Sequence, residues 1–391
     1  MWPRRTFLKQ TGLALTAMAS SQYLSGCRQQ SSQAETAVTA SQTTNVENEY
    51  RQAGATLLTQ STPLEDGFYF PAEWDPHEFT IMAFPPAQNW QGYLPMPQVW
   101  DEWALVANTV NEFEPVLMVV DPADLVAAQQ RLSASIEVVE FPLNDAWSRD
   151  TGPLFLVDGN GQRRATGFTF NGWGEKFPPY KADQLLKARL CEYLDTDLYP
   201  ADLVVEGGAV VLDGQGTAIT TAENILNANR NPGVSRAEVE AYFRDYLGAE
   251  QTIWLEKGLV PDPITDGHVD GLCVFAAPGV VLLETTDDRN DPNFAICQDA
   301  KQRLTEATDA KGRSLEIIEL PLTSDVVHVN FYIANGGVIV PTADDPAQDD
   351  EPLAILRETF PDREVVGVSG VVLAEGGGGV HCITQQVPKV S

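Results

Sequence analysis

Basic residues are scarce. The 391-residue chain has 25 lysines and arginines against 55 aspartates and glutamates, a formal net charge of −30. Phosphate backbones need a positive surface, so nucleic acid is excluded as a partner. A negative field instead concentrates small cations and cationic side chains. It also serves solubility, so the charge permits a cationic substrate without assigning one. Histidine is rarer still: His77, His268, His328 and His381. The five cysteines, at 27, 191, 273, 297 and 382, are far apart, which gives no zinc-ligand spacing and no dense disulfide framework, although an oxidising compartment allows pairs. There is no Gly-x-Ser-x-Gly, so a serine-hydrolase elbow is excluded. The glycine-rich stretch lacks a phosphate-loop lysine, and no strand–Gly-x-Gly-x-x-Gly–helix unit precedes an acidic ribose contact. What is present is 43% hydrophobic residues, enough for a packed core and a length that suits one large domain or two ordinary ones.

The first 27 residues read as an address. Arg4 and Arg5 lead into Thr6-Phe7-Leu8-Lys9, a modestly apolar run follows from Thr11 to Leu24, and Leu24-Ser25-Gly26-Cys27 closes it. The run is too short and too polar to be a resident span of about 20 apolar residues. The opening resembles a twin-arginine export signal and the close resembles a bacterial lipoprotein box, which implies lipidation of Cys27. An amphipathic N-terminus fits the same residues and would leave the protein cytoplasmic. Residues 28–65, rich in Ser, Thr, Gln, Ala and Glu, are expected to form a flexible tether. The folded domain is expected over 66–391. On this reading the soluble domain sits at the outer face of a bacterial membrane, touching it only through the anchor.

The rest is an α/β pattern with a weak internal repeat. Ile136-Glu-Val-Val-Glu-Phe-Pro-Leu143 parallels Leu315-Glu-Ile-Ile-Glu-Leu-Pro-Leu322, and Arg363-Glu-Val-Val-Gly-Val-Ser-Gly370 is a looser copy. Each follows a helix-like stretch opened by proline (122–133, 292–308 and 346–359), and each of these follows an apolar strand (116–120, 280–284 and 337–340). Further strands are expected at 203–206, 209–212 and 218–220, and a helix at 236–247. Repeated units imply a closed or stacked architecture. Loops from several units would then meet at one centre.

Four constellations carry chemistry. Gly376-Gly-Gly-Gly-Val-His-Cys382 places a cysteine after a loop that lets a ligand approach closely; a glycine turn with a structural cysteine fits as well. On a strand, His381 beside Cys382 would face the other way. In Thr265-Asp-Gly-His-Val-Asp270, His268 and Asp270 share one face of an extended segment and can share proton transfer and cation binding; a surface turn is the alternative. In Trp147-Ser-Arg-Asp-Thr-Gly-Pro153, Asp150 follows the first repeated strand and Trp147 is expected to wall a planar cation; an Asp-Thr-Gly-Pro turn is equally common. Glu206-Gly207-Gly208 offers a carboxylate at a strand end, or a polar bulge. Together a cysteine, a histidine and several acids suit attack on the central carbon of a guanidinium, whose N–H pairs carboxylates grip bidentately.

These motifs, with Phe70-Pro-Ala-Glu-Trp-Asp-Pro-His77, Val205-Glu-Gly-Gly208, Leu226-Asn-Ala-Asn-Arg-Asn-Pro232, Pro278-Gly-Val-Val-Leu-Leu283 and Val329-Asn-Phe-Tyr-Ile-Ala-Asn-Gly336, occur in the order in which the chain resembles the agmatine deiminase / bacterial (Porphyromonas-type) peptidyl-arginine deiminase family. The resemblance implies the pentein fold, a five-bladed α/β propeller of ββαβ repeats; the repeat alone does not show five copies. It implies Cys382 as nucleophile, His268 as general acid/base, Asp150 and Asp270 as the carboxylates holding the guanidinium, and Glu206 as a further substrate-binding acid. It implies hydrolysis through a covalent amidino-cysteine, without metal or organic cofactor, on agmatine or on the arginine side chain of a peptide. Two departures bear on specificity: Ile264 stands four residues before the histidine, where family members often carry an acid, and the segment from Leu322 to Val329 is short. From another class, a non-catalytic guanidine-binding lipoprotein remains an alternative. A homo-oligomer is compatible with the sequence.

Overall fold

The computed structural model describes residues 46–390 apart from 91 and 324. The export signal, the lipidation position Cys27 and the first part of the tether lie outside the described residues.

Five small sheets follow one another along the chain. The first joins both ends of the fold: β16 (Gln385–Pro388) pairs antiparallel with β1 (His77–Ala83), which runs parallel to β2 (Val116–Val120), itself parallel to β3 (Glu137–Glu140). The other four repeat one plan, an antiparallel pair and then a parallel third strand. They are β4 (Leu154–Val157), β5 (Arg163–Thr169) and β6 (Leu198–Val204); β7 (Val210–Leu212), β8 (Thr217–Thr221) and β9 (Gln251–Leu255); β10 (Cys273–Ala277), β11 (Val280–Thr285) and β12 (Glu316–Pro321); and β13 (Tyr332–Ala334), β14 (Gly337–Thr342) and β15 (Glu364–Ser369). The parallel step forces a crossover, and helices supply it. Residues of β4, β7, β10 and β16 line one small cavity, so four of the five sheets turn their antiparallel edge strand toward a common axis. This is the expected five-bladed α/β propeller.

The repeated sequences fall on equivalent strands. Glu137–Glu140, Glu316–Glu319 and Glu364–Gly367 each read exposed, half-buried, half-buried, exposed in the parallel edge strand of a sheet. Local chemistry fixes the crossovers. In the helix Arg236–Leu247, Ser235 and Glu238 form a reciprocal capping box, Val239, Phe243 and Leu247 are buried on one stripe, and Gly248 ends it at φ 73°. The helix Pro346–Thr359 begins where expected. The stretch from Pro122 does not reach Ser133: a 3₁₀ turn Pro122–Asp124 and a helix Leu125–Gln129 are all that forms. The strand expected to end at Glu206 ends at Val204, because Gly207–Ala209 turn as a 3₁₀ segment.

The expected domain start at 66 is too late. Residues 46–52 are helical and Tyr50 is fully buried. Leu57 bridges to Leu198, and the Leu58 N–H donates to the Leu198 carbonyl at 2.9 Å. A polar composition hid a few apolar anchors that extend the edge beside β6. A chain starting at residue 66 should therefore melt at least about 5 °C below one starting at 46, since losing one buried aromatic costs about 3–5 kcal/mol. Equal Tm values would show that the segment adds nothing.

Candidate active site

The first site residues come from the turn after β3. Ser148–Thr151 is one helical turn, and it buries Asp150. Both Asp150 oxygens are held by neutral donors: the Gly208 N–H reaches Oδ1 at 2.9 Å and the Trp173 indole N–H reaches Oδ2 at 2.9 Å. The Gly208 carbonyl accepts from the Asp270 N–H at 3.2 Å, so one glycine ties the two carboxylate segments together. A Cβ on Gly208 would lie 2.7 Å from His268 Nδ1 and 2.8 Å from Asp270 Oδ2, which excludes any larger residue.

His268 stands among three carboxylates. Its Nε2 is 3.1 Å from Glu206 Oε2, and its Nδ1 is 4.0 Å from Asp150 Oδ1 and 3.9 Å from Asp270 Oδ1. Glu206 is completely buried and also pairs with Arg230 Nε at 2.9 Å. Arg230 and Lys176 both hold Asp266, and Lys176 Nζ caps the Ile264 carbonyl at 3.0 Å, which fixes the loop leading into His268.

Cys382 lies not on a strand but in the 3₁₀ turn His381–Ile383. The glycines before it include a left-handed helix cap at Gly377, φ 99°. Cys382 is half-buried, with its sulfur 3.3 Å from Asn330 Oδ1 and 3.8 Å from Asp270 Oδ2. In a three-residue turn neighbours are about 120° apart, not 180°. His381 is therefore not turned away: its Nδ1 is 2.8 Å from Asp270 Oδ2.

Burial and charge set the protonation. Burial pushes the Asp150 carboxyl up; the His268 charge pulls against this, while Glu206 and Asp270 add to the push. Burial would also raise Glu206, but the His268 hydrogen bond and the Arg230 charge hold it down at about 2. Burial opposes the His268 cation, yet Asp150, Glu206 and Asp270 raise it to about 9. Burial and then the Asp270 and Asp150 charges push the Cys382 thiol well above its ordinary range. Of the carboxylates around the thiol and His268, Asp150 is thus the one with no cation at hydrogen-bond distance. A planar cation laid between Asp150 and Asp270 would satisfy it and lower the thiol.

The structure brings Cys382, His268, Asp150, Asp270 and Glu206 together. Trp147 lies against the glycine loop that leads into Cys382. It packs edge-on against Trp103 at 5.4 Å and against Trp90 at 6.1 Å, and a Cβ on Gly378 would come 2.4 Å from its ring. Its ring buttresses the glycine loop, and the indole that hydrogen-bonds a site carboxylate belongs to Trp173. Ile264 lies against Gly377, so an aliphatic side chain stands beside the glycine loop. Trp173, Asn330, His381 and Glu73 were not singled out from sequence. Asn330 and Glu73 sit in motifs quoted for the resemblance but carry no spacing signal of their own, and Trp173 depends on a run of left-handed backbone from Gly172 to Glu175.

Known proteins give the same arrangement a lineage. The profile of the Porphyromonas-type peptidyl-arginine deiminases matches residues 69–388. Agmatine deiminases of Stutzerimonas stutzeri (strain A1501) and Pseudomonas aeruginosa (strain LESB58) are each 42% identical, over 85% and 84% of this chain and 98% and 97% of theirs. The solved agmatine deiminase of Enterococcus faecalis superposes with a TM-score of 0.82 at 36% identity, over 86% of this chain and all of that one. On the length and continuity of these matches, the chain belongs to the Porphyromonas-type peptidyl-arginine deiminase family, with the pentein fold.

Proposed function

We propose that this protein is a hydrolase that deiminates agmatine, giving N-carbamoylputrescine and ammonia. The observation that carries this reading is the convergence of a thiol, an imidazole and two carboxylates on one place, with no cation within hydrogen-bond distance of Asp150. The agmatine deiminases most similar to it support the choice of substrate.

In this mechanism Asp150 and Asp270 hold the guanidinium through paired N–H···O bonds. Its positive charge offsets theirs and lowers the adjacent thiol, whose proton leaves to solvent. The thiolate then forms a C–S bond to the central carbon. A C–N bond breaks, and His268, already an imidazolium, gives its proton to the departing ammonia. His268, now neutral, takes a proton from water as its oxygen attacks the same carbon. The C–S bond breaks, the hydroxyl proton passes to the departing sulfur, and the urea product leaves with the thiol and the His268 imidazolium restored. Glu206 and Arg230 keep His268 oriented. The chemistry draws only on these side chains and water.

Ammonia release should be fastest with agmatine, with kcat/KM at least about tenfold above free arginine or an arginine peptide, and Cys382→Ser should lower kcat by about 10⁴-fold or more. Faster citrulline formation in the peptide would give the enzyme to peptidyl arginine instead. Agmatine binding with no ammonia from the wild-type protein would favour the non-catalytic binding reading.

The pH dependence has a definite sign. The reactive pair is thiolate plus imidazolium, but the free site favours thiol plus imidazolium. Below about 9, where His268 titrates, kcat/KM should rise close to tenfold per pH unit as the thiolate fraction grows, then level off. An optimum near pH 7 with falling activity above it would contradict a raised thiol.

The N-terminal residues Arg4, Arg5 and Cys27 support a proposal of export by the twin-arginine route and anchoring at the outer face of a bacterial membrane, where the product would lead toward putrescine. Intact-mass analysis of the membrane fraction should find an acylated N-terminal Cys27, and Cys27→Ser should move the enzyme to the soluble fraction. An unprocessed, soluble wild-type chain would overturn this placement.

A further inference from the structure

Beneath the site lies a second buried ionic layer, built by the chain neighbours of two site residues. Arg149 precedes Asp150 and His381 precedes Cys382. Both meet Glu73. His381 Nε2 is 2.9 Å from Glu73 Oε2, while its Nδ1 is 2.8 Å from Asp270 Oδ2. Arg149 NH2 is 3.6 Å from the same Glu73 oxygen, Arg149 Nε donates to the His381 carbonyl at 3.3 Å, and Arg149 NH1 donates to Gln386 Oε1 at 2.7 Å. Glu73 Oε1 also accepts from the Ile333 N–H at 2.9 Å. His381 and Arg149 are almost wholly buried. The layer borders the cavity on the propeller axis, about 40 Å³ in volume, enough for a water or two.

An imidazole between two carboxylates, each within 3 Å of a ring nitrogen, is placed to donate from both nitrogens at once, which only the cation does. We propose that His381, gripped between Glu73 and Asp270, is a positioning residue that fixes the Asp270 carboxylate for the substrate and holds a positive charge beneath it. The inference rests on the guanidine-deiminase reading and adds a role for the Phe70-Pro-Ala-Glu73 motif.

The electrostatics agree with that geometry. Burial and the Arg149 charge oppose protonation of His381, yet Glu73 and Asp270 raise its pKa. Burial would raise Asp270, but the His381 hydrogen bond and charge, with His268 and Arg149, bring it down. Asp150 and Cys382 are the remaining ionisable groups facing Asp270. Glu73 is held at about 2 against its own burial by His381 and Arg149. Of Asp270's two oxygens, Oδ2 is committed to His381 and Oδ1 faces His268. Without His381 the carboxylate loses its directional anchor, and its proton affinity rises.

The test is calorimetric agmatine binding by the full chain in a Cys382→Ser background, from pH 5 to 9. His381→Asn in that background keeps a donor near Asp270 but removes the charge. Glu73→Gln keeps the shape of the layer and stands if His381→Asn does not fold. Both should weaken agmatine by about tenfold at pH 7.5, and the loss should deepen toward acid pH, because Asp270 then takes a proton at a higher pH. A Kd and a pH dependence equal to those of Cys382→Ser, in whichever variant folds, overturn the proposal. Failure of Cys382→Ser itself to bind agmatine overturns the deiminase reading instead.

Discussion

The constraint that organises this molecule is the burial of carboxylates. Asp150, Glu206 and Asp270 are held away from bulk water around one end of the propeller axis and Glu73 is half-buried beside them, and an ionised carboxylate there must be met by cations or N–H donors. Arg230, His268, His381 and Arg149 meet three of them closely. Asp150 is met by a backbone amide and an indole. The site is thus complementary to a flat cation that is not part of the chain, and the same negative surroundings keep the thiol protonated until such a cation arrives.

The propeller makes this crowding affordable in chain terms. Each sheet delivers a loop to the axis, so residues 73, 150, 206, 268, 330 and 382 meet although they are spread over most of the sequence. Closure by β16 on β1 places the cysteine turn directly beside the first sheet. Backbone contacts then finish the geometry: Gly208 links the Asp150 and Asp270 segments, and the His381 N–H bonds the Asn330 carbonyl at 3.0 Å. Losing any one blade would remove a site group, so fold and chemistry depend on the same ring.

Much of this was legible in the sequence. The parallel between Ile136–Leu143 and Leu315–Leu322 marked equivalent strands, because a half-exposed edge strand selects the same alternation in three of the five sheets. Asp150, His268, Asp270 and Cys382 each stood in a motif whose residue types suit one chemistry. Their meeting in space was not derivable from spacing; it needed the resemblance. Where reading failed, the local period was wrong or the signal was diluted. His381 was set on the far face by strand alternation, and a 3₁₀ turn brings it to Asp270. Residues 46–65 were read as tether from composition, while burial of Tyr50 depends on one side chain, not on an average.

The most direct measurement is a crystal structure of the full-length Cys382→Ser protein with agmatine. The guanidinium should lie between Asp150 and Asp270, with its central carbon about 3–3.5 Å from the serine oxygen and one nitrogen directed at His268. Agmatine seated away from residue 382, with Asp150 still answered only by Gly208 and Trp173, would contradict the account.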